Sequence, residues 1–139
     1  MNILLDTHIA LWAISDDPKL PEKARELILD PDNTIYYSAV SLWEVMLKHD
    51  SQKNNLDLTA AEFADYCEES GYYPLNMTPK HTLTAEKLDV SKIDKEHRDP
   101  FDRLLLAQAK AENYSFLTHD SKLPLYQEKC VIKVSMSIR

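Results

Sequence analysis

At 139 residues, with 44% apolar and 28% charged side chains, the chain has the size and composition of one globular domain spanning 1–139, and not of a disordered, collagenous or membrane protein. Its formal net charge of −7 excludes the basic footprint of a passive nucleic-acid binder, so any phosphate chemistry requires cations from outside. A single glycine, Gly71, is too few for a Walker loop or a dinucleotide-binding fingerprint, both of which bring several glycines against phosphate.

The opening MNILLDTHIALW lacks the basic region and small-residue cleavage site of a secretory signal, and no apolar run approaches the roughly 18 residues of a membrane span. A cytoplasmic protein without membrane association is expected. Cys67 and Cys130 match no redox or zinc spacing and are read as reduced core thiols.

Along the chain, short apolar runs alternate with helical patterns. Asn2 to Leu5 reads as a strand, after which Ile9, Trp12 and Ala13 recur at helical spacing. Asp17-Pro18 breaks that helix, Pro21 suits the first turn of a second over Glu22 to Leu29, and Asp30 to Asn33 is a turn. Thr34 to Tyr37, β-branched and aromatic, predicts a second strand leading into a helix from about Ser38 to His49, with polar loop from His49 to Asn55. Thr59-Ala-Ala-Glu62 is a capping box, and Ala60, Phe63, Ala64 and Cys67 continue it as a helix that Gly71 closes.

A third strand is expected over Tyr72 to Leu75, and a helix from Thr78-Pro79 through about Leu88, followed by charged loop over 89–98. Asp99-Pro100 opens a helix to about Asn113, Ser115 to Thr118 is a fourth strand, Leu123 to Gln127 a short helical turn, and Val131 to Val134 a fifth strand. Short apolar strands separated by helices predict an α/β fold, a three-layer α/β/α sandwich on a mainly parallel sheet of about five strands.

In a parallel sheet all strands end on one edge, where ligands bind. Asp6 follows the first strand and Asp120 lies two residues past Thr118 at the end of the fourth. Glu44 is about two turns into the helix after the second strand, and its longer side chain can reach back to that edge. Asp102 lies in the first turn of the helix before the fourth strand, and spacing alone does not decide whether it joins the others. Each acid also has a structural reading. Asp6 is a candidate N-cap, Glu44 a candidate N3 partner in a Ser41-x-x-Glu44 capping box, Asp102 a first-turn acid behind an Asp99 cap, and Asp120 a turn residue.

If the four converge, each pair at about 5 Å repels by about 3 kcal/mol at an effective dielectric near 20, so the site must take up a divalent cation or a proton. Oxygen-only ligation favours Mg²⁺ or Mn²⁺ over zinc. Thr118, Thr7 and Ser38 each carry a hydroxyl that can orient water or a carboxylate, or simply cap a helix or finish a strand. His8 and His119 lie near the same edge in sequence, as donors to phosphate or as solvated side chains. Arg98 and Arg103 are read either as phosphate contacts or, for Arg103, as the i,i+4 partner of Asp99.

Four segments together carry a family resemblance: the opening Ile-Leu-Leu-Asp6-Thr-His, Ser38-Ala-Val-Ser-Leu-Trp-Glu44, the block His97-Arg-Asp-Pro-Phe-Asp102-Arg-Leu-Leu-Leu-Ala-Gln-Ala109, and Phe-Leu-Thr118-His-Asp120. In order and spacing the chain resembles the PIN-domain nucleases, and within them the VapC-like ribonuclease toxins of bacterial toxin–antitoxin pairs. The resemblance implies that Asp6, Glu44, Asp102 and Asp120 line one acidic pocket holding Mg²⁺ or Mn²⁺ for hydrolysis of RNA phosphodiesters. It also implies a small antitoxin partner and a homodimer. A phospho-acceptor signalling domain is disfavoured, since Thr7 stands where a paired acid would be and no lysine follows Val134. A haloacid-dehalogenase-like phosphatase is disfavoured by His8 in place of the second acid of Asp-x-Asp. The remaining rival is a catalytically silent PIN-fold protein that binds RNA or protein.

Overall fold

The computed structural model describes residues 1–52 and 56–135. Five strands, β1 (Asn2–Leu5), β2 (Thr34–Ser38), β3 (Tyr73–Leu75), β4 (Ser115–Thr118) and β5 (Val131–Lys133), form one sheet in the order β3-β2-β1-β4-β5. Every neighbouring pair is parallel, with Ile3 opposite Ile35 and Leu5 opposite Leu117 in the register. The helices are α1 (Thr7–Ile14), α2 (Glu22–Leu29), α3 (Ala39–Asp50), α4 (Ala60–Glu69), α5 (Pro79–Glu86) and α6 (Pro100–Glu112).

Period-two alternation sorts the strand side chains onto two faces. Ile3, Leu5, Ile35, Tyr37 and Leu117 pack with Ile9 and Ala10 of α1, Ala24 of α2 and Phe63 and Cys67 of α4. Leu4 and Phe116 face the other way, onto Leu105, Leu106 and Ala109 of α6, with Tyr36 packed against the same cluster. Both faces are therefore covered, as a parallel sheet requires, and the expected three-layer sandwich is the fold observed.

Local chemistry explains the element ends. Thr59 and Glu62 form the reciprocal capping box of α4, and Asp99 caps α6 by accepting from the amides of Phe101 and Asp102, with Pro100 in the first turn. Gly71 adopts φ +86° just beyond α4; nothing lies near its missing Cβ, so backbone conformation alone calls for glycine. Several boundaries differ from expectation: β2 runs on to Ser38 and not only to Tyr37, β3 begins at Tyr73 and not Tyr72, and β5 ends at Lys133 and not Val134. Ser38 is the cap of α3 and not its first residue, accepting from the Val40 amide, and α3 runs on to Asp50, with 53–55 of the expected loop outside the described residues. Helix α5 ends at Glu86, short of Leu88, and the loop over 89–98 contains a 3-10 turn at Lys95–His97.

A buried polar chain joins the second layer of helices to the sheet. The Ser38 hydroxyl donates to Gln108 Oε1 of α6, and Gln108 Nε2 reaches the Asn76 carbonyl and His81 Nδ1 of α5. His81 Nδ1 also accepts from the Thr78 amide, so the ring carries its proton on Nε2, which donates to Glu112 at 2.9 Å. The side chains of Ser38, Gln108 and His81 in this network thus each find partners, as burial demands.

Phe116, fully buried on the interior strand β4, packs in the cluster of Leu105, Leu106 and Ala109. Phe116→Ala is expected to cost about 3–5 kcal/mol in urea denaturation; a loss below about 1 kcal/mol would mean that this face is not close-packed.

Candidate active site

Strand order reverses between β1 and β4, and the crevice at their carboxyl ends is where an open parallel sheet offers a binding site. Asp6 leaves β1 at this point. Its amide donates to the Leu117 carbonyl of β4, its Oδ1 accepts from the His8 amide and so caps α1, and its Oδ2 accepts from the Thr118 hydroxyl at 2.6 Å. The N-cap reading of Asp6 therefore holds for one oxygen, while the other faces the neighbouring strand. Thr118, fully buried at the end of β4, also accepts the Asp120 amide on the same hydroxyl. A single Oγ thus ties Asp6 to the turn that carries Asp120, whose own Oδ1 accepts from the Lys122 amide.

Glu44 comes from α3. With Ser38 as the cap it is not an N3 residue, so the capping-box alternative does not apply. Its side chain is buried, Oε2 accepts from Lys48 Nζ at 2.8 Å one turn on, and Oε1 is buried with no partner. Thr7 and Ser41 share a 2.8 Å hydroxyl bond that joins α1 to α3 beside it. Thr7 and Ser38 therefore act as helix ties, and among the three hydroxyls singled out from sequence Thr118 is the one bonded to an acid.

Asp102, half-buried on the first turn of α6, answers the placement that spacing left open. Its carboxyl is pushed up to about 9, first by burial and then by the charges of Asp6, Asp99, Asp120 and Glu44. All four acids named from sequence thus lie in one electrostatic field, with Asp99 as a fifth member whose own carboxylate is occupied as the α6 cap. Burial also drives Asp6 upward, opposed by its bonds from Thr118 and His8.

The donor set suits a hard divalent cation. It consists of carboxylate oxygens alone, and one of them, Glu44 Oε1, is buried and unsatisfied, which costs about 1–3 kcal/mol or more for a charged group until a positive partner arrives. Among the described residues, three ligand atoms mutually within 4.8 Å occur at the exposed Asp94, Glu96 and His97, and not among the pocket acids. An ion among Asp6, Glu44, Asp102 and Asp120 would accordingly keep several waters, as Mg²⁺ normally does.

Sequence reading missed Lys48, although Glu44-x-x-x-Lys48 is the spacing of a helical ion pair. It also missed an aromatic group at the rim. The Trp12 ring lies 4.7 Å from that of His119 and 6.0 Å from that of His8, and His119 Nδ1 is buried without a partner. Burial and the Lys48 charge lower the His8 pKa. Beside this group opens a cleft of about 840 Å³ between α1, the 56–58 segment and α4. The two arginines serve the fold. Arg98 donates to the carbonyls of Ile93 and Val90, and Arg103 Nε donates to that of Ala85 and does not pair with Asp99.

The raised Asp102 sets a pH dependence. The folded state holds a proton that the unfolded chain releases near pH 4, so stability is greatest below that pH and falls as pH rises toward 9. In chelator the melting temperature should fall over this window, and Asp102→Asn should flatten the slope and melt higher at pH 7 to 8. Equal slopes in the two proteins would show that Asp102 is not under this repulsion.

The sequence profile of the PIN domain matches residues 3–129. No curated protein sequence matches the chain. Among solved structures it is similar to VapBC2 from Rickettsia felis bound to a promoter DNA fragment, at 20% identity and TM-score 0.64, covering 99% of this chain and 100% of that one. It is also similar to DNA-bound VapBC from Salmonella typhimurium, at 15% identity and TM-score 0.59 over 99% and 97% of the two chains. VapBC-5 from Mycobacterium tuberculosis, a member of a family of toxin–antitoxin systems, aligns at 16% identity and TM-score 0.58 over 97% and 98%. At these identities the structural likeness is one of fold, while the profile spans nearly the whole sequence, and the chain belongs to the PIN domain family.

Proposed function

We propose that this protein is a divalent-metal-dependent endoribonuclease that hydrolyses RNA phosphodiesters, and that it is the toxin of a toxin–antitoxin pair. The observation that carries the reading is the gathering of carboxylates at the β1–β4 edge, with Asp6 oriented by Thr118 and His8, Glu44 Oε1 buried without a partner, and the Asp102 carboxyl raised by burial and by the charges of Asp6, Asp99, Asp120 and Glu44. Such an arrangement opposes folding unless it is used to hold a cation. Membership of the PIN family and the shared fold with VapBC proteins support the same reading. A small antitoxin, a homodimer and a cytoplasmic location are proposed with it, on the same likeness.

Asp6, Glu44, Asp102 and Asp120 are the residues that would hold Mg²⁺ or Mn²⁺, and the ion would supply an activated water and neutralise charge on the phosphate. The chain's own part is positional. Thr118 fixes Asp6 Oδ2 while His8 holds Oδ1, so this carboxylate has a set orientation before any ligand arrives. Asp102, whose carboxyl burial and neighbouring charge hold protonated, would give up that proton to serve as a ligand, so metal affinity would rise with pH. Glu44 offers the unsatisfied Oε1, and Lys48 on its other oxygen places an ammonium at the pocket mouth for a phosphate oxygen. In the reaction the water oxygen bonds to phosphorus, one P–O ester bond breaks, and the departing oxygen takes up a proton.

Purified protein with Mg²⁺ or Mn²⁺ is expected to cleave some RNAs of a broad panel, with Asp6→Asn and Asp102→Asn losing cleavage while keeping the wild-type circular dichroism spectrum. Thr118→Val should lose about 10- to 100-fold through misorientation of Asp6. Wild-type inactivity with the metal demonstrably bound and no inhibitor present would instead favour a silent PIN-fold binding module.

A further inference from the structure

We infer that the cleft beside the acidic pocket is a nucleobase subsite, which seats an unpaired base of single-stranded RNA against Trp12 and Tyr66 next to the phosphate to be cut. The inference rests on the nuclease reading above and adds where the substrate's affinity comes from.

Three observations converge on this cleft. Trp12 and Tyr66 line it together with the aliphatic Leu11 and Leu58, and its volume of about 840 Å³ lies within the roughly 300–1,000 Å³ of small-molecule pockets. It adjoins the acids through two of its lining residues: the His8 amide donates to Asp6, and Lys48 is bonded to Glu44. A nucleotide whose base enters the cleft would have its phosphodiester on the side of the carboxylates. Finally, the charge balance removes the usual alternative. The chain is at −7, and among the described residues Lys48 is the one lysine or arginine lining the cleft while Asp17 and Asp57 line it too, so these residues attract a phosphate backbone only weakly. An acidic protein that must hold RNA draws its affinity from base stacking, which is indifferent to charge, and stacking on a side chain requires a base free of a duplex.

Trp12 is suited to this role by its setting. It leans on His119 at 4.7 Å and on His8 at 6.0 Å, which restrains its ring, yet it remains half-exposed on the cleft side. Tyr66, 44% exposed on α4, lines the same space from a different helix. The polar Ser15 at the rim is available to base edges.

The test is binding of a fluorescein-labelled single-stranded RNA octamer in chelator, where nothing is cut, read by fluorescence anisotropy. Trp12→Ala is expected to weaken binding about tenfold, Tyr66→Ala by a smaller factor, and Trp12→Phe to retain most of the affinity because a phenyl ring still offers a π-face. Trp43→Ala, on the exposed face of α3, should bind as wild type. An octamer lacking its bases should bind wild type no better than the intact octamer binds Trp12→Ala. The logarithm of affinity should fall with the logarithm of salt at a slope of only about −0.7, for one phosphate contact. Equal binding by wild type, Trp12→Ala and Tyr66→Ala, with all three folded by circular dichroism, overturns the subsite even if metal-dependent cleavage is normal. The same equality joined to lost binding of the protein encoded by the neighbouring reading frame would assign the cleft to a protein segment. If metal-loaded wild type neither cleaves nor binds RNA, the nuclease reading itself fails and the subsite falls with it.

Discussion

The structure turns on the repulsion among carboxylates gathered at the β1–β4 reversal. Folding brings Asp6, Glu44, Asp102 and Asp120 from four separate segments into one field, and burial together with that field pushes the Asp102 carboxyl up to about 9. Nothing in the hydrophobic layers asks for this. The sheet would be as well buried with Asn or Ser at those positions, since the cores consist of Ile, Leu, Val and Phe on strands and helices away from the edge. Electrostatic cost concentrated at a topological switch point is the physical mark of a site that favours a cation.

Hydrogen bonds manage that cost unequally. Asp6 is held on both oxygens and its capping of α1 offsets part of the burial that raises its pKa. Asp120 is a turn residue with satisfied contacts. Glu44 is balanced on one oxygen by Lys48 and left bare on the other. Asp102 contributes its amide to the Asp99 cap, while its carboxyl takes the summed repulsion of its neighbours. The acids are therefore distinct in readiness: Asp6 and Asp120 are oriented by the backbone frame, Glu44 leaves one oxygen without a partner, and Asp102 keeps its proton.

Much of this was legible in the sequence because the signals are local. The Thr59–Glu62 box, the Asp99-Pro100 start and the β-branched runs at Thr34 and Val131 are decided by neighbours a few residues away, and the elements appear where those patterns lie. Asp6 and Asp120 could be placed for the same reason, since strand ends share an edge. Asp102 could not, because its position depends on how α6 packs across the sheet, and only the resemblance supplied it. The Trp12–His119–His8 group was illegible for a different reason. Its members are joined by ring contacts between segments more than a hundred residues apart, and aromatic spacing on α1 alone reads as core.

Gln108 illustrates how such a site keeps its dimensions. It lies on α6, the helix of Asp102, and accepts from Ser38, the residue that caps the helix of Glu44, while its amide nitrogen reaches the imidazole of His81 on α5. One neutral side chain, wholly out of contact with solvent, thereby gauges the gap between two acids it does not touch. Any lengthening or shortening at that point would be transmitted as a change in the spacing of Glu44 and Asp102, so the tolerance of the pocket is set deep in the interior, by an amide.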